Sequence, residues 1–287
     1  MNKLKTFFYV FKKSISSPEY YKELLETKFS FTFKYYLMLA VLVSLIFTSF
    51  VSIKMVPETK AWLKTGVEEV KNIYPDDLVI SIKDGKWSIN KPEPYIIPMP
   101  QSIKEKYSAN VDNAVVFYKQ GTINDFSSFK TFALVNESNI LTNDNASGIK
   151  AYPVKDLPNA DIDKSKAIEG INNVYKYIKY VPFLLPLVLF VGQILFDFFG
   201  YKLMYILWIG LAVYLLSLLK KKKINFLSAC RIGIHTMTLP IIVETLFSLF
   251  SLDVSAYPWF FVLNTFLSFI VLDKMFKEKE GALNPKN

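Results

Sequence analysis

Cysteine occurs once in this chain of 287 residues, as Cys230. No internal disulfide can form, and no cysteine cluster can hold a metal. Cys230, next to Arg231, reads as a buried inert thiol to which no role attaches. A catalytic motif of recognisable spacing is also missing: no nucleophile, base and orienting group can be assembled, so the expectation is a non-enzyme with no catalytic residue, no metal and no cofactor. Aromatic RNA-binding motifs are lacking too. The formal charge of +9, from 34 Lys and Arg against 25 Asp and Glu, therefore does not point to nucleic acid.

What the chain does have is an uneven distribution of apolar residues. A run without charge extends from Tyr35 to Ile53, about 125 mostly polar residues follow, and a largely apolar stretch then covers Val181 to Met275. The composition, 52% hydrophobic and 16% aromatic, averages over two solvents. Positive charge collects beside the apolar segments. Residues 1–34 hold seven Lys against three Glu, and residues 220–231 hold five basic groups and no acid, whereas residues 54–179 balance 17 Lys with 16 acids. Cytoplasmic loops of membrane proteins show this bias.

Five regions follow: a cytoplasmic amphipathic segment (1–34), a first transmembrane helix (35–53), an extracytoplasmic β-rich domain (54–179), a multi-helix membrane region (180–276) and a polar tail (277–287). In the first region Leu4, Phe8, Phe11 and Ile15 recur at helical spacing, with Lys5, Lys12 and Lys13 elsewhere around the helix. Such a helix either lies in the headgroup layer or packs on the transmembrane bundle. Ser17 as N-cap with Pro18 after it predicts a second short helix towards Lys28. Nineteen uncharged residues from Tyr35 cover roughly the 30 Å hydrocarbon layer, and without a small-x-small cleavage site the run reads as an uncleaved signal anchor.

In the outer domain, Pro57 to Ile73 is predicted as a separate helix begun by the proline. Leu78–Ile82 and Trp87–Asn90 form a hairpin about Asp84-Gly85, and Pro92, Pro94, Pro98 and Pro100 keep the next stretch extended. Further strands are expected at 114–118, 132–136, 138–142 and 149–154, then a helix over 164–179. Asp76 with Asp77 and Asp161 with Asp163 lack the spacing of a calcium loop and read as turn caps and solvated charge. Asn136-Glu137-Ser138 and Asn145-Ala146-Ser147 match the glycosylation sequon.

From Tyr180 to Leu219 the apolar run is 40 residues, about 60 Å as one helix and twice the hydrocarbon thickness. A turn at Asp197–Lys202 is therefore expected, giving crossings at 180–196 and 203–219, with further segments at 232–252 and 257–272. The fold class is then an α-helical integral membrane protein of about five hydrophobic helices with an inserted β-rich extracytoplasmic α+β domain. Five crossings conflict with the lysines at 220–223, which they would place outside. Polar groups within the helices are the functional candidates, because burial in lipid is costly: Gln193, Asp197, His235, Glu244 and Asn264. His235 and Glu244 are nine residues apart, on opposite faces of a straight helix. Lys5, Lys12, Lys13, Lys220, Lys221, Lys222 and Lys223 are expected at the membrane surface.

Phe7-Phe8, Ser16-Ser17-Pro18-Glu19-Tyr20, the Lys83–Lys86 turn, the strand Ser138–Asp144 and the Phe226–Pro240 segment together resemble a family of uncharacterised bacterial multi-pass membrane proteins, some labelled maltodextrin-utilisation proteins. Those members carry an Ile-Asp-Thr-like strand where this chain has Val115-Val116-Phe117-Tyr118, so no role for that Asp carries over. Phe226–Pro240 is also similar, more weakly, to the Yip-like membrane fold. The resemblance implies no reaction. The expected function is a binding, sensing or scaffolding protein of the bacterial cell envelope, in the cytoplasmic membrane, with lipid bilayer and an envelope or membrane protein as partners. The alternative is a transporter or transporter accessory subunit, for instance in carbohydrate uptake.

Overall fold

The structure, a computed structural model, describes residues 2–105, 111–144, 148–222, 224–250 and 258–283. The sequon at Asn145, the end of the fourth expected segment at 251–252, the start of the fifth at 257 and residues 284–287 lie outside the described residues, as does Lys223. The chain forms two compact units, residues 1–55 with 184–287, and residues 56–183.

The first unit is helical. Helix α1 (Lys3–Ser16) is capped by the Asn2 side chain, and α2 (Tyr20–Glu26) follows. Ser17 does not cap α2 as expected; its hydroxyl donates instead to Glu19 Oε2 at 2.8 Å. Helix α1 buries Phe7, Val10 and Ser14, so the expected stripe turns the other way: Leu4, Phe8 and Ile15 are exposed beside Lys5 and Lys12. One face is packed on protein, and the sequence stripe remains available to a membrane surface.

Helix α3 (Phe29–Ile73) is 45 residues long and carries Pro57 inside it. The separate helix predicted from Pro57 is thus a continuation. Proline removes one backbone donor, but a long apolar helix tolerates that loss where no other break signal adjoins it. A second correction concerns the count of apolar helices. Among the described residues four are long and apolar enough to cross a membrane: Phe29–Ile73, Lys164–Leu219, Phe226–Leu249 and Trp259–Phe276. The expected turn at Asp197–Lys202 is absent. Helices α6 (Lys164–Ile178), α7 (Val181–Gly192) and α8 (Leu203–Leu219) join into one run of 56 residues, and Gln193–Lys202 is π-helical. The charges there do not force the chain out to water because they are paired, as shown below.

Helices α9 (Phe226–Thr236, capped by Asn225) and α10 (Thr238–Leu249) are followed by α11 (Pro258–Leu283). Glycine sets the approach of α8 to α9. A Cβ on Gly233 would lie 2.7 Å from Ile209 Cγ2, and one on Gly210 would collide with Cys230 Sγ. Small residues that let backbones meet are the usual device for helix packing in lipid, where hydrophobic burial contributes little.

The second unit holds two sheets. Strands β1 (Ile80–Lys83) and β2 (Lys86–Ile89) form the predicted hairpin, with φ of 50° at Asp84 and 73° at Gly85, the left-handed pair that a two-residue turn demands. Strand β8 (Ala160–Ile162) completes the sheet in the order β2-β1-β8. The other sheet runs β3-β4-β5-β6-β7, from β3 (Tyr95–Pro98), β4 (Asn113–Phe117), β5 (Thr131–Val135), β6 (Asn139–Asp144) and β7 (Gly148–Pro153). A short helix α4 (Gln101–Lys104) follows β3. Pair β4–β5 is parallel, with α5 (Ile123–Ser128) as the crossover, started by a capping box of Thr122 and Asp125. Side chains alternate across the sheet. Phe117 and Val135 join Leu78, Ile82, Trp87, Ile97 and Val154 in one core, while Val116 and Leu134 face Phe126 of α5.

Candidate functional site

Three of the five expected site residues, Asp197, Glu244 and His235, are distributed between two polar clusters in the helical unit. The first centres on Lys202, which the sequence reading placed in a turn. Its side chain is 2% exposed, and Nζ lies 2.6 Å from Asp197 Oδ1 and 2.9 Å from Glu244 Oε2. Residues five apart diverge by about 140° on an α-helix of 3.6 residues per turn. The π-helical segment, bonded i to i+5, stacks Asp197 and Lys202 instead. Its Phe198 carbonyl accepts both Leu203 N–H and the Tyr36 hydroxyl, the latter at 2.6 Å. Phe198 and Phe260 place their rings 5.1 and 5.8 Å from the ammonium. Two carboxylates, each about a third exposed, thus share one buried cation.

The second cluster centres on His235, which is fully buried. Its Nδ1 shares a hydrogen bond with Ser14 Oγ at 2.9 Å, Tyr20 Oη is 3.4 Å away, and the Tyr35 ring stacks on the imidazole at 4.5 Å and 8°. Tyr35 Oη and Thr238 Oγ1 bond at 2.7 Å. Nε2 has no partner among the described residues. Burial also raises the Tyr20 and Tyr21 hydroxyls above their ordinary range. Four residues earlier, Arg231, the only arginine in the chain, is 7% exposed. It donates to the carbonyls of Leu24, Leu25 and Thr27 and to Ser228 Oγ. The orphan carbonyls at the end of α2 are the negative pole of that helix, so the cation is compensated without a carboxylate.

His235 and Glu244 therefore serve different clusters, since α9 ends at Thr236 and α10 begins at Thr238. Asn264 Nδ2 donates to the Gly233 carbonyl at 3.4 Å, which is a helix–helix contact. Gln193 opens the π-helical segment, with Oε1 buried and unpartnered among the described residues. Lys5 and Lys12 are exposed, and Lys13 lies over the Tyr9 ring. Lys220 pairs with Asp273 and sits 4.2 Å from the Phe269 ring, Lys221 is exposed, and Lys222 lies over Phe276. Sequence reasoning missed Lys202, Arg231, Ser14 and Tyr35. The Asp197–Lys202 spacing within an apolar run was the available signal for the first.

Charged pairs in the second unit are structural. Asp77 meets Lys91, Asp76 meets Lys164, Asp161 accepts from Ser81 and Asp163 caps α6. No three His, Cys, Asp or Glu converge on a metal-sized site among the described residues. The Asn136 amide is engaged by Gly121 O and by the backbone N–H groups of Ser138 and Asn139.

The same unit contains a cavity of about 490 Å³, walled by Trp62, Val70 and Ile73 of α3, Ile97 of β3, and Val115 and Phe117 of β4. Tyr74 also borders it, but its hydroxyl donates to Ile162 O at 2.8 Å, and burial raises its pKa. A groove of about 450 Å³ between α3 and α6 shares Trp62, Val70, Ile103 and Ile171 with the cavity. Its sides are Leu63, Gly66 and Val67 against Ala167, Gly170 and Val174.

Fold and clusters define a mostly helical protein with four helices apolar enough to span a membrane, ion pairs and a histidine buried among them, and a unit of two sheets. The chain belongs to a family described as proteins of unknown function (DUF1189), matched over residues 8–275. No curated protein and no solved structure matches it.

Proposed function

We propose that this is a non-enzymatic integral membrane protein of the bacterial cytoplasmic membrane that binds an apolar ligand through an extracytoplasmic domain, residues 56–183, and senses or presents it. The cavity of about 490 Å³ carries this reading: its volume is that of a small-molecule site, and its walls suit hydrocarbon rather than sugar hydroxyls. Topology supports it. If all four apolar helices cross, residues 1–34, Lys220 and Lys221 would share one side and residues 56–183 would take the other, in agreement with the positive-inside rule, whereas five crossings conflict with it.

Native mass spectrometry of the full-length protein released from membranes tests the reading. Wild type carries a bound small molecule, and Ala114→Trp, which fills the cavity from β4, loses it without a change in melting temperature. Bare wild-type protein under conditions that preserve other protein–lipid complexes would overturn it.

A second reading, a transporter or its accessory subunit, is favoured by one observation, the Asp197–Lys202–Glu244 cluster. Solute or ion flux in vesicles that falls with Glu244→Gln supports it; unchanged flux removes it.

A further inference from the structure

The chemical class of the ligand follows from where the groove leads, an argument that rests on the reading above. The apolar faces of α3 and α6 that the sequence displays, Trp62, Val67 and Val70 on one and Ile171 and Val174 on the other, do not close on each other. They flank the groove, and α6 buries none of its residues. The seam has room at its two glycines. A Cβ placed on Gly66 or on Gly170 meets nothing within 4 Å. A soluble domain would fill such a seam with side chains, because an apolar groove exposed to water is unfavourable.

Both flanking helices run without a break into apolar stretches long enough to cross a membrane. The groove and the cavity share four residues, so a chain that enters the one reaches the other. At the cavity's edge, Ile103 and Val111 are followed directly by Lys104 and Asp112. Lys104 and Lys130 share Asp112 at 2.7 and 3.5 Å, which leaves one positive charge in excess. An apolar tunnel with a cationic edge matches an anionic amphiphile.

We propose that the groove and cavity take one acyl chain of an anionic phospholipid from the surrounding bilayer, threaded between α3 and α6 and ending against β4 and β5. The groove is the entry path and Gly66 and Gly170 are what keep it passable.

The test uses the full-length protein in vesicles containing phosphatidylglycerol with a diazirine in one acyl chain, with photo-adducts mapped by peptide mass spectrometry. Adducts are expected on the β4 and β5 peptides that carry Ala114, Val115 and Phe132, and on residues 35–53. Gly66→Phe with Gly170→Phe, both compatible with helix and with open space, should lower the strand adducts at least fivefold and leave those on residues 35–53 unchanged, which also reports that the protein is folded and inserted. Adducts on residues 35–53 alone in wild type overturn the acyl-chain proposal. If the native mass experiment still finds a different bound molecule, only this proposal fails; if it finds none, the binding reading fails with it. Strand adducts that persist in the double variant overturn the groove as the path.

Discussion

The two units invert each other's chemistry. In residues 56–183 the aspartates and lysines lie at the surface, and Leu78, Trp87, Phe117 and Val135 are inside. In the helical unit Leu184, Leu187, Val188, Leu207 and Phe266 are exposed, while Lys202, Arg231 and His235 are buried. Sheets and helices are not the cause, since either can present either face. The difference is the one that the proposed membrane location requires: where the surroundings are hydrocarbon, a polar group must find its partners inside.

The largest expected effect comes from breaking a buried charge cluster. Lys202→Met leaves Asp197 and Glu244 without the ammonium; removal of one partner from a fully buried pair costs about 3–5 kcal/mol, an upper bound here because both carboxylates are about a third exposed. Thermal unfolding of the purified full-length protein should show a large fall in midpoint, and adding Asp197→Asn with Glu244→Gln should recover most of it, because neutral amides carry no uncompensated charge. A Lys202→Met protein that melts with wild type would show that the cluster is solvated and that the contrast between the units is only one of composition.

Much of the second unit was legible because its signals are local. The Asp84-Gly85 turn, the alternation at 114–118 and 132–136 and the α6 helix are set by residues within a few positions of each other, whereas α5 was not read. Strands β3 and β8 were not read as strands: each is three or four residues long, and their partners lie 15 to 22 and 78 to 82 residues away respectively. The helical unit was legible in outline and wrong in its count, for one reason. Lys202 was read as a charge seeking water, whereas Glu244, 42 positions later on another helix, makes it an interior residue. The polar candidates Asp197, His235, Glu244 and Asn264 were visible, since each interrupts an apolar run, but not the division of the first three between two clusters. That depended on Ser14, Tyr35 and Arg231, whose partners are more than 200 residues distant.

A smaller effect sharpens the comparison by making the same change in both units. Gly233→Ala places a methyl group 2.7 Å from Ile209 Cγ2 between α8 and α9 and should cost about 1–3 kcal/mol by overpacking. Ile209→Ala in the same chain should return part of it. Gly66→Ala meets open space and should be neutral or stabilising by up to about 1 kcal/mol, through helix propensity. Melting midpoints of the three variants decide it. Equal losses at Gly66 and Gly233 would mean that the groove between α3 and α6 is closed by something that needs the glycine.

The smallest effect is the acid dependence of the second unit. Asp77, Asp112, Asp125 and Asp161 are all held below the usual carboxylate range, by hydrogen bonds from Lys91, Lys104, Thr122 and Ser81 in turn. A depressed folded-state value means that the unfolded chain binds the proton first. Their stabilisation is therefore complete above the unfolded value of about 3.9 and is lost as pH falls through the lower folded values. All four groups are at the surface, where screening keeps each contribution small. Unfolding followed by Trp87 fluorescence, with Trp62, Trp208 and Trp259 replaced by Phe, should give a midpoint flat from pH 7 to about 5 and falling below about 4. Asp77→Asn with Asp161→Asn should flatten that fall. A midpoint that rises on acidification would mean that these aspartates repel more than they bind, and the polar surface of this unit would then be no counterpart to the paired interior of the helices.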